Sequence, residues 1–301
     1  MSRRLELLVT PELAGVKADT LLRRHLHLSG TVIRRIKWWE DGILADGVRV
    51  HTDYRPEVGQ VLSVRLSAPY RNSEIVPAPG PLDIVYEDAD LVVLNKAPGV
   101  LVHPSHGHFD DTLGNFLMHH YKRCGDESGF HPVHRLDKGT SGLLAVAKHA
   151  YAQEKLKNQL HTRDFRRVYL AVCDGSPPQP AGVVDAPIGP MEGSLMAREV
   201  RPDGRPARTH YRVLRSCGPR TLVELELETG RTHQIRVHMA HIGCPLTGDF
   251  LYGAENRALV SRPALHSARL ELTHPITGAR LSFAAPLPAD LAVLISKENI
   301  S

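Results

Sequence analysis

The stretch "HRLDKGTSG" at residues 134–142 places one acid, Asp137, between His134 and Arg135 on one side and Lys138 on the other. A carboxylate can serve as nucleophile, general base, metal ligand or ion-pair partner. Metal ligation calls for further acids or histidines close by, and the neighbours here are mainly cations. A carboxylate held by arginine stays ionised, which makes it a poor general acid but a usable nucleophile. A buried structural Asp–Arg pair would satisfy the same residue types. Residues 139–142 read as a turn and residues 143–147 as a plain apolar run, so the acid sits at the edge of a buried strand.

The elements that must hold this acid follow from periodicity. "LDIVYEDADLVVLNKAPG" reads as two strands turning at "EDAD", and "LLAVAK" (143–148) as a short apolar strand. "AYAQEKLKNQL" spaces Ala152, Leu156 and Leu160 by four, as a helix does. "RRVYLAV" (166–172) is a strand. "TLVELELE" (221–228) alternates strictly, predicting Val223, Leu225 and Leu227 inward with Glu224, Glu226 and Glu228 outward. "THQIRVHMAHIG" predicts a helix ending at Gly243, and "ALHSARLELTHPITGARLSFAAP" a hairpin turning at "HPITG". Strands outnumber helices without alternating with them. The expected class is therefore α+β, with a mixed, largely antiparallel central sheet rather than a doubly wound one.

Residues 1–66 read as a separate small α+β unit and 67–80, with three prolines, as a linker; 81–301 form the larger domain. In the small unit, "KADTLLRRHL" predicts a short helix with Leu21, Leu22 and Leu26 near helical spacing. "SGTVIRRIKWWEDG" predicts a second, N-capped by Ser29 and stopped at Gly42, with Val32, Ile33 and Ile36 on its apolar face. Arg34, Arg35 and Lys37 decorate the rest of that helix and could neutralise phosphates. "ILADGVRV" is strand, tight Asp46-Gly47 turn, strand. "VGQVLSVRL" alternates Val61, Ser63 and Arg65 against Leu62, Val64 and Leu66.

Composition sets outer bounds. The 301 residues suggest about two domains. A net charge of +4 permits a polyanionic partner without demanding one. The four cysteines are far apart and form no C-x-x-C pair, which points to free thiols in a reducing compartment. No apolar run approaches the roughly 18 residues of a membrane span, and the apolar part of "MSRRLELLV" is too short for a secretory signal. The expected location is cytoplasmic. Histidine is abundant, with "HPSHGHFDD" (103–111) and His119-His120 as tempting ligands, but a zinc site needs about four converging ligands. No metal is expected.

Two resemblances sharpen these readings. The first unit is similar to the S-four RNA-binding module through Asp19, Leu22, Ser29, Arg34, Ile36, Gly42, Asp46, Gly47 and Gly59. It departs from that pattern in having Asp46-Gly47 for Asn-Gly and Gly59-Gln60 for Gly-Asp. "HRLDKGTSG" with the following two leucines resembles the signature of the RluA family of pseudouridine synthases. "NKAPGVLVHP" (95–104), "RRVYLAV", "ETGRTHQIRVHMAHIGCPLTGDFLYG" (228–253) and "ALHSARLELTHPITG" resemble that family's other blocks in order. The resemblance implies that uridine in RNA becomes pseudouridine: uracil leaves the sugar at N1, turns, and rejoins through C5. It implies no cofactor and no metal, since no redox step occurs. It makes Asp137 the catalytic residue, by attack on C1′ or by proton abstraction beside it. Arg135 would fill the gap left by the flipped base, with His134 beside it. Tyr169 would stack on the uracil, Ile235 would line the pocket, and Arg236 would pair with Asp137. Arg231 would contact phosphate or order its loop. Arg167 stands where the family often has lysine. The RNA would be large-subunit rRNA, with transfer RNA the alternative and a non-catalytic RNA binder or an Asp137 hydrolase the competing classes. A monomer is expected.

Overall fold

The computed structural model describes residues 3–67, 75–160 and 162–296. Leucines alternating with charged residues make β1 (Arg4–Leu8), which turns Leu5 and Leu7 inward. Two helices follow, α1 (Ala18–Arg24) and α2 (Gly30–Ile36). Ser29 caps α2 by accepting the Val32 N–H at 3.3 Å. That helix stops six residues short of the expected Gly42. Turns from Trp39 N–H to the Ile36 carbonyl, and from Gly42 N–H to the Trp39 carbonyl, redirect the chain. Gly42 matters for close approach instead: a Cβ there would lie 1.9 Å from the Ile36 carbonyl oxygen. β2 (Ile43–Ala45), β3 (Val48–Arg49) and β4 (Val61–Arg65) complete an antiparallel sheet in the order β1-β4-β2-β3. Leu21, Leu22, Ile33, Ile36, Leu62 and Val64 close its core, each at most 2% exposed.

A ten-stranded sheet dominates the rest. Its strands are β5 (Ile84–Glu87), β6 (Leu91–Lys96), β7 (His131–Pro132), β8 (Ser141–Ala147), β9 (Phe165–Asp174), β10 (Ala181–Asp185), β13 (Arg208–Cys217), β14 (Arg220–Leu227), β15 (Leu265–Thr273) and β16 (Arg280–Ala284). β11 (Ile188–Pro190) and β12 (Arg198–Val200) form a separate hairpin. The helices are α3 (Leu113–Arg123), α4 (Ala150–Gln159), α5 (Gln234–His241) and α6 (Ala289–Ala292). The main path runs β10-β13-β14-β9-β15-β8-β6-β5, with β16 on β15 and β7 on β8. Among the described residues every pairing is antiparallel except β15 with β8. The fold is α+β, as the strand count predicts.

β8 shows why its sequence is apolar throughout. Leu144 and Val146 face one core with α3 and α5, whereas Leu143, Ala145 and Ala147 face another with Leu156 of α4. A strand covered on both faces has no polar side. Asp137 therefore sits on the loop feeding the most buried strand. The two units also touch. Tyr151 of α4 packs into the core of the first unit and donates its hydroxyl to the Leu26 carbonyl at 3.0 Å. Arg3 pairs with the buried Asp90 at 2.8 Å. The expected linker lies partly outside the described residues; its end packs on α3, where Val76 O accepts from Asn115 Nδ2 at 2.7 Å.

The parallel contact explains the last glycine of "HRLDKGTSG". Gly142 has φ +106°, and a Cβ there would meet the Ser267 carbonyl oxygen at 2.2 Å and its nitrogen at 2.7 Å. Gly142→Ala should therefore cost more than about 3 kcal/mol, since neither backbone can retreat from a sheet centre. Urea unfolding should show a lower midpoint at an unchanged slope.

Candidate active site

The loop between β7 and β8 is held from two sides. Lys96, 1% exposed, donates through Nζ to the carbonyls of Ala97 (2.9 Å), Val100 (2.8 Å) and Lys138 (3.1 Å). Burial pulls its ammonium down to about 7, against the opposing attraction of Asp137. Arg262, bound through Nε to Asp290, gives Nη1 to the carbonyls of Gly139 and Leu265, each at 3.1 Å. Thr140 N–H closes a turn on the Asp137 carbonyl. The Asp137 side chain, 31% exposed, projects from this braced loop into a cleft of about 860 Å³.

Across the cleft stands Arg236, one turn into α5. Its Nε and Nη2 each donate to Asp249 at 2.7 Å, and its Nη1 lies 3.6 Å from Asp137 Oδ2. The expected partnership with Asp137 is thus real but secondary. The first claim on this guanidinium belongs to Asp249, which is fully buried and also accepts the N–H groups of Leu251 and Tyr252. Burial alone would lower the Arg236 pKa, but the bonded carboxylate raises it, so the cation is permanent. The sequence block contains Asp249, yet nothing in its spacing ties it to Arg236.

A second group reaches Asp137. His233 caps α5 from a left-handed conformation (φ +57°) and holds Nε2 3.9 Å from Asp137 Oδ2. Its Nδ1 is 2.8 Å from the Tyr252 hydroxyl, which in turn accepts the Arg198 N–H at 2.8 Å. Burial lowers the His233 pKa, so the ring is neutral at neutral pH. The Tyr252 O–H can donate to Nδ1, and Nε2 is the ring nitrogen turned to the carboxylate. Nothing in the spacing of the sequence marks His233; its left-handed backbone does.

The other expected residues fall on the cleft with unequal parts. Tyr169, on β9, is 4% exposed and burial raises its pKa, so the phenol stays protonated. Ile235 (4%) lines the same wall. Arg135 is exposed at the rim. Arg231 also borders the cleft, but its Nε donates to the Pro206 carbonyl at 2.9 Å, bracing its own loop. His134 borders it as well, but its imidazole is built into the fold: Nε2 accepts the Ala145 N–H at 3.3 Å and the ring meets Phe165 edge-on. Burial, with Arg167 nearby, drives its pKa down to about 3. Arg34, Arg35 and Lys37 lie on the other unit, with both arginines exposed and Lys37 over the Trp38 ring at 4.8 Å.

In the histidine-rich stretch, His108 is taken up by local bonds. Lys138 Nζ donates to His108 Nε2, leaving Nδ1–H for Asp111 at 2.6 Å. Asp88, Asp90 and His274 also gather, and all three are engaged: His274 with Asp88 at 2.8 Å, and Asp90 with Arg3 and with His149 at 3.0 Å. Among the described residues, no helix is long and apolar enough to cross a membrane.

Removing one partner of the Arg236–Asp249 pair strands a buried charge. Asp249→Ala should therefore destabilise by about 3–5 kcal/mol, read from the urea midpoint against wild type. A loss under about 1 kcal/mol would mean that water already reaches the pair.

This site has relatives. The family model described as RNA pseudouridylate synthase matches residues 90–241. The uncharacterized RNA pseudouridine synthase YjbO of Bacillus subtilis is 40% identical over 274 residues, covering 91% of this chain and 96% of its own. Ribosomal large subunit pseudouridine synthase D of Escherichia coli is 46% identical over 230 residues, covering 71% of this chain and 70% of its own. The solved structure of human RNA pseudouridylate synthase domain containing 1 superposes with a TM-score of 0.57 at 28% identity, over 69% of this chain and 85% of that one. A braced acidic loop facing an arginine in a cleft, in a chain so closely related to these enzymes, leads to one conclusion: the protein belongs to the RNA pseudouridylate synthase family and is an RNA-modifying isomerase.

Proposed function

We propose that this enzyme converts uridines of large-subunit ribosomal RNA to pseudouridine, with Asp137 as the catalytic carboxylate. The observation that carries the reading is the placement of Asp137. It is a partly exposed carboxylate at a cleft, opposite an arginine whose other nitrogens are fixed by a buried acid. The reaction needs an anion beside a carbon that becomes electron-poor, and a carboxylate carried on a braced loop supplies it with little reorganisation. Attack on C1′ and proton removal beside it both use that position. The choice of ribosomal RNA rests on the relative named as a large-subunit enzyme.

The target base leaves its stack to reach the cleft, at a cost of a few kcal/mol. Tyr169 offers a face for the everted uracil, and base–aromatic stacking returns roughly 1–3 kcal/mol. Ile235 closes the opposite side. Arg135, exposed at the rim, has the planar guanidinium suited to occupy the vacated stack. The first unit adds affinity through Arg34, Arg35 and Lys37, as an S-four-type module would, by neutralising phosphates.

Large-subunit rRNA transcribed with tritium at C5 of uridine tests the reading. Wild type should release tritium, and Asp137→Asn should release less than about a thousandth as much. Equal release from both proteins would sink the assignment of Asp137, and release from labelled transfer RNA alone would move the substrate. Replacing Arg34, Arg35 and Lys37 by alanine should weaken RNA binding and lower the slope of log K against log salt by about 2–3. An unchanged slope would take the first unit out of the RNA contact.

A further inference from the structure

One charged side chain lining the cleft, Arg167, is held differently from its neighbours. Arg167 lies on β9 two residues before Tyr169, on the same face of the strand. It lines the cleft and is 4% exposed. Its Nε and Nη2 are sealed from solvent and, among the described residues, have no hydrogen-bond partner. Its neighbour Arg166 shows what a settled arginine looks like here: it reaches Glu226 at 2.8 Å and Glu271 at 3.5 Å. A guanidinium is a cation, and among the described residues no carboxylate is seen to bond the buried nitrogens of this one. Such an arrangement is costly unless something else at the site supplies the negative partner.

The position of the guanidinium says where that partner would be. Arg167 lies close enough to Tyr169 to oppose the burial-driven rise in the phenol's pKa, and close enough to His134 to depress the imidazole. Its Nη1 is 3.3 Å from where a Cβ on Gly230 would stand, and Gly230 itself borders the cleft. A side chain at residue 230 would crowd the guanidinium; glycine leaves that flank open. The cation thus flanks the space beside Tyr169, on the wall across which the base would lie.

We propose that Arg167 is the residue that receives the negative charge of the detached uracil. The inference rests on the reading of Asp137 given above. When the C1′–N1 bond breaks, its electron pair goes onto the pyrimidine and spreads to O2 and O4. In one route an Asp137 oxygen bonds to C1′ as N1 leaves; in the other Asp137 takes the 2′ proton, a C1′–C2′ double bond forms, and N1 leaves. Either way uracil departs as an anion. C5 then bonds to C1′, the Asp137 bond breaks or the 2′ proton returns, C5 gives its proton to solvent and N1 takes one up. Asp137 serves the sugar and Arg167 the base. Guanidinium nitrogens without a bond to another protein group can favour the anion over neutral uridine.

The test uses the full chain and large-subunit rRNA carrying either tritiated uridine or 5-fluorouridine. Fluorine withdraws electron density, so that base leaves as an anion with less help. Arg167→Met should lower the single-turnover rate on uridine by about 100-fold with RNA affinity nearly unchanged. Arg167→Lys, which keeps the charge, should recover about tenfold of that loss. On 5-fluorouridine RNA, with disappearance of the nucleoside read by chromatography, Arg167→Met should lose about tenfold less than on uridine. Equal losses on the two RNAs, or a methionine variant as fast as wild type, would overturn the assignment while leaving Asp137 untouched. A wild type that releases no tritium from ribosomal or transfer RNA would instead overturn the function reading, and this inference with it.

Discussion

The buried pair of Arg236 and Asp249 is the constraint on which the site depends. Two bonds of 2.7 Å spend two of the guanidinium's nitrogens on a fully buried carboxylate. That leaves Nη1 as the only one directed at Asp137, and it stands at 3.6 Å, an ion-pair distance rather than a tight hydrogen bond. Asp137 therefore faces a fixed cation without being locked up by it. A carboxylate bonded as closely as Asp249 would be a poor nucleophile, because attack would first have to break the bidentate pair. Using two acids, one to fix the arginine and one to react, separates those demands.

The same division recurs in the loop that carries Asp137. Its backbone is gripped by Lys96 from one side and Arg262 from the other, so the loop needs no help from the reactive side chain. Gly142 then lets β8 run against β15 in the sheet's parallel pairing. The opening sequence motif thus resolves into an anchor turn, a free acid and a close-contact glycine. His233 adds a further link. Through Tyr252 it ties the carboxylate's surroundings to Arg198, beside the turn of the β11–β12 hairpin.

Much of this was legible in the residues, for local reasons. The alternation in 221–228 and the apolar run after residue 142 report burial on one face or on two. Ser29 acts as an N-cap through a bond to a residue three positions on. Asp137, Tyr169, Ile235 and Arg236 do share one cleft. What was not legible depends on distance along the chain or on backbone geometry. Asp249 is 13 residues from Arg236 and across a loop, and no periodicity connects them. The parallel meeting of β15 with β8 joins residues 125 apart, as His266 to Ser141. Helix α2 ended early because two turns outcompeted a pattern that could have continued. His134 looked like a site residue by adjacency, yet it spends its ring on the Ala145 N–H. Arg167 looked like a neutral replacement of lysine, and what marks it is that Nε and Nη2 have no partner among the described residues.

The most direct measurement is a crystal structure of the Asp137→Asn protein with a bound RNA containing its target uridine. The account predicts that uridine everted into the cleft, with its C1′ about 3–3.5 Å from the residue 137 side chain and its ring between Tyr169 and Ile235. A target base still stacked in the RNA, or a ribose held where residue 137 cannot touch it, would contradict the account.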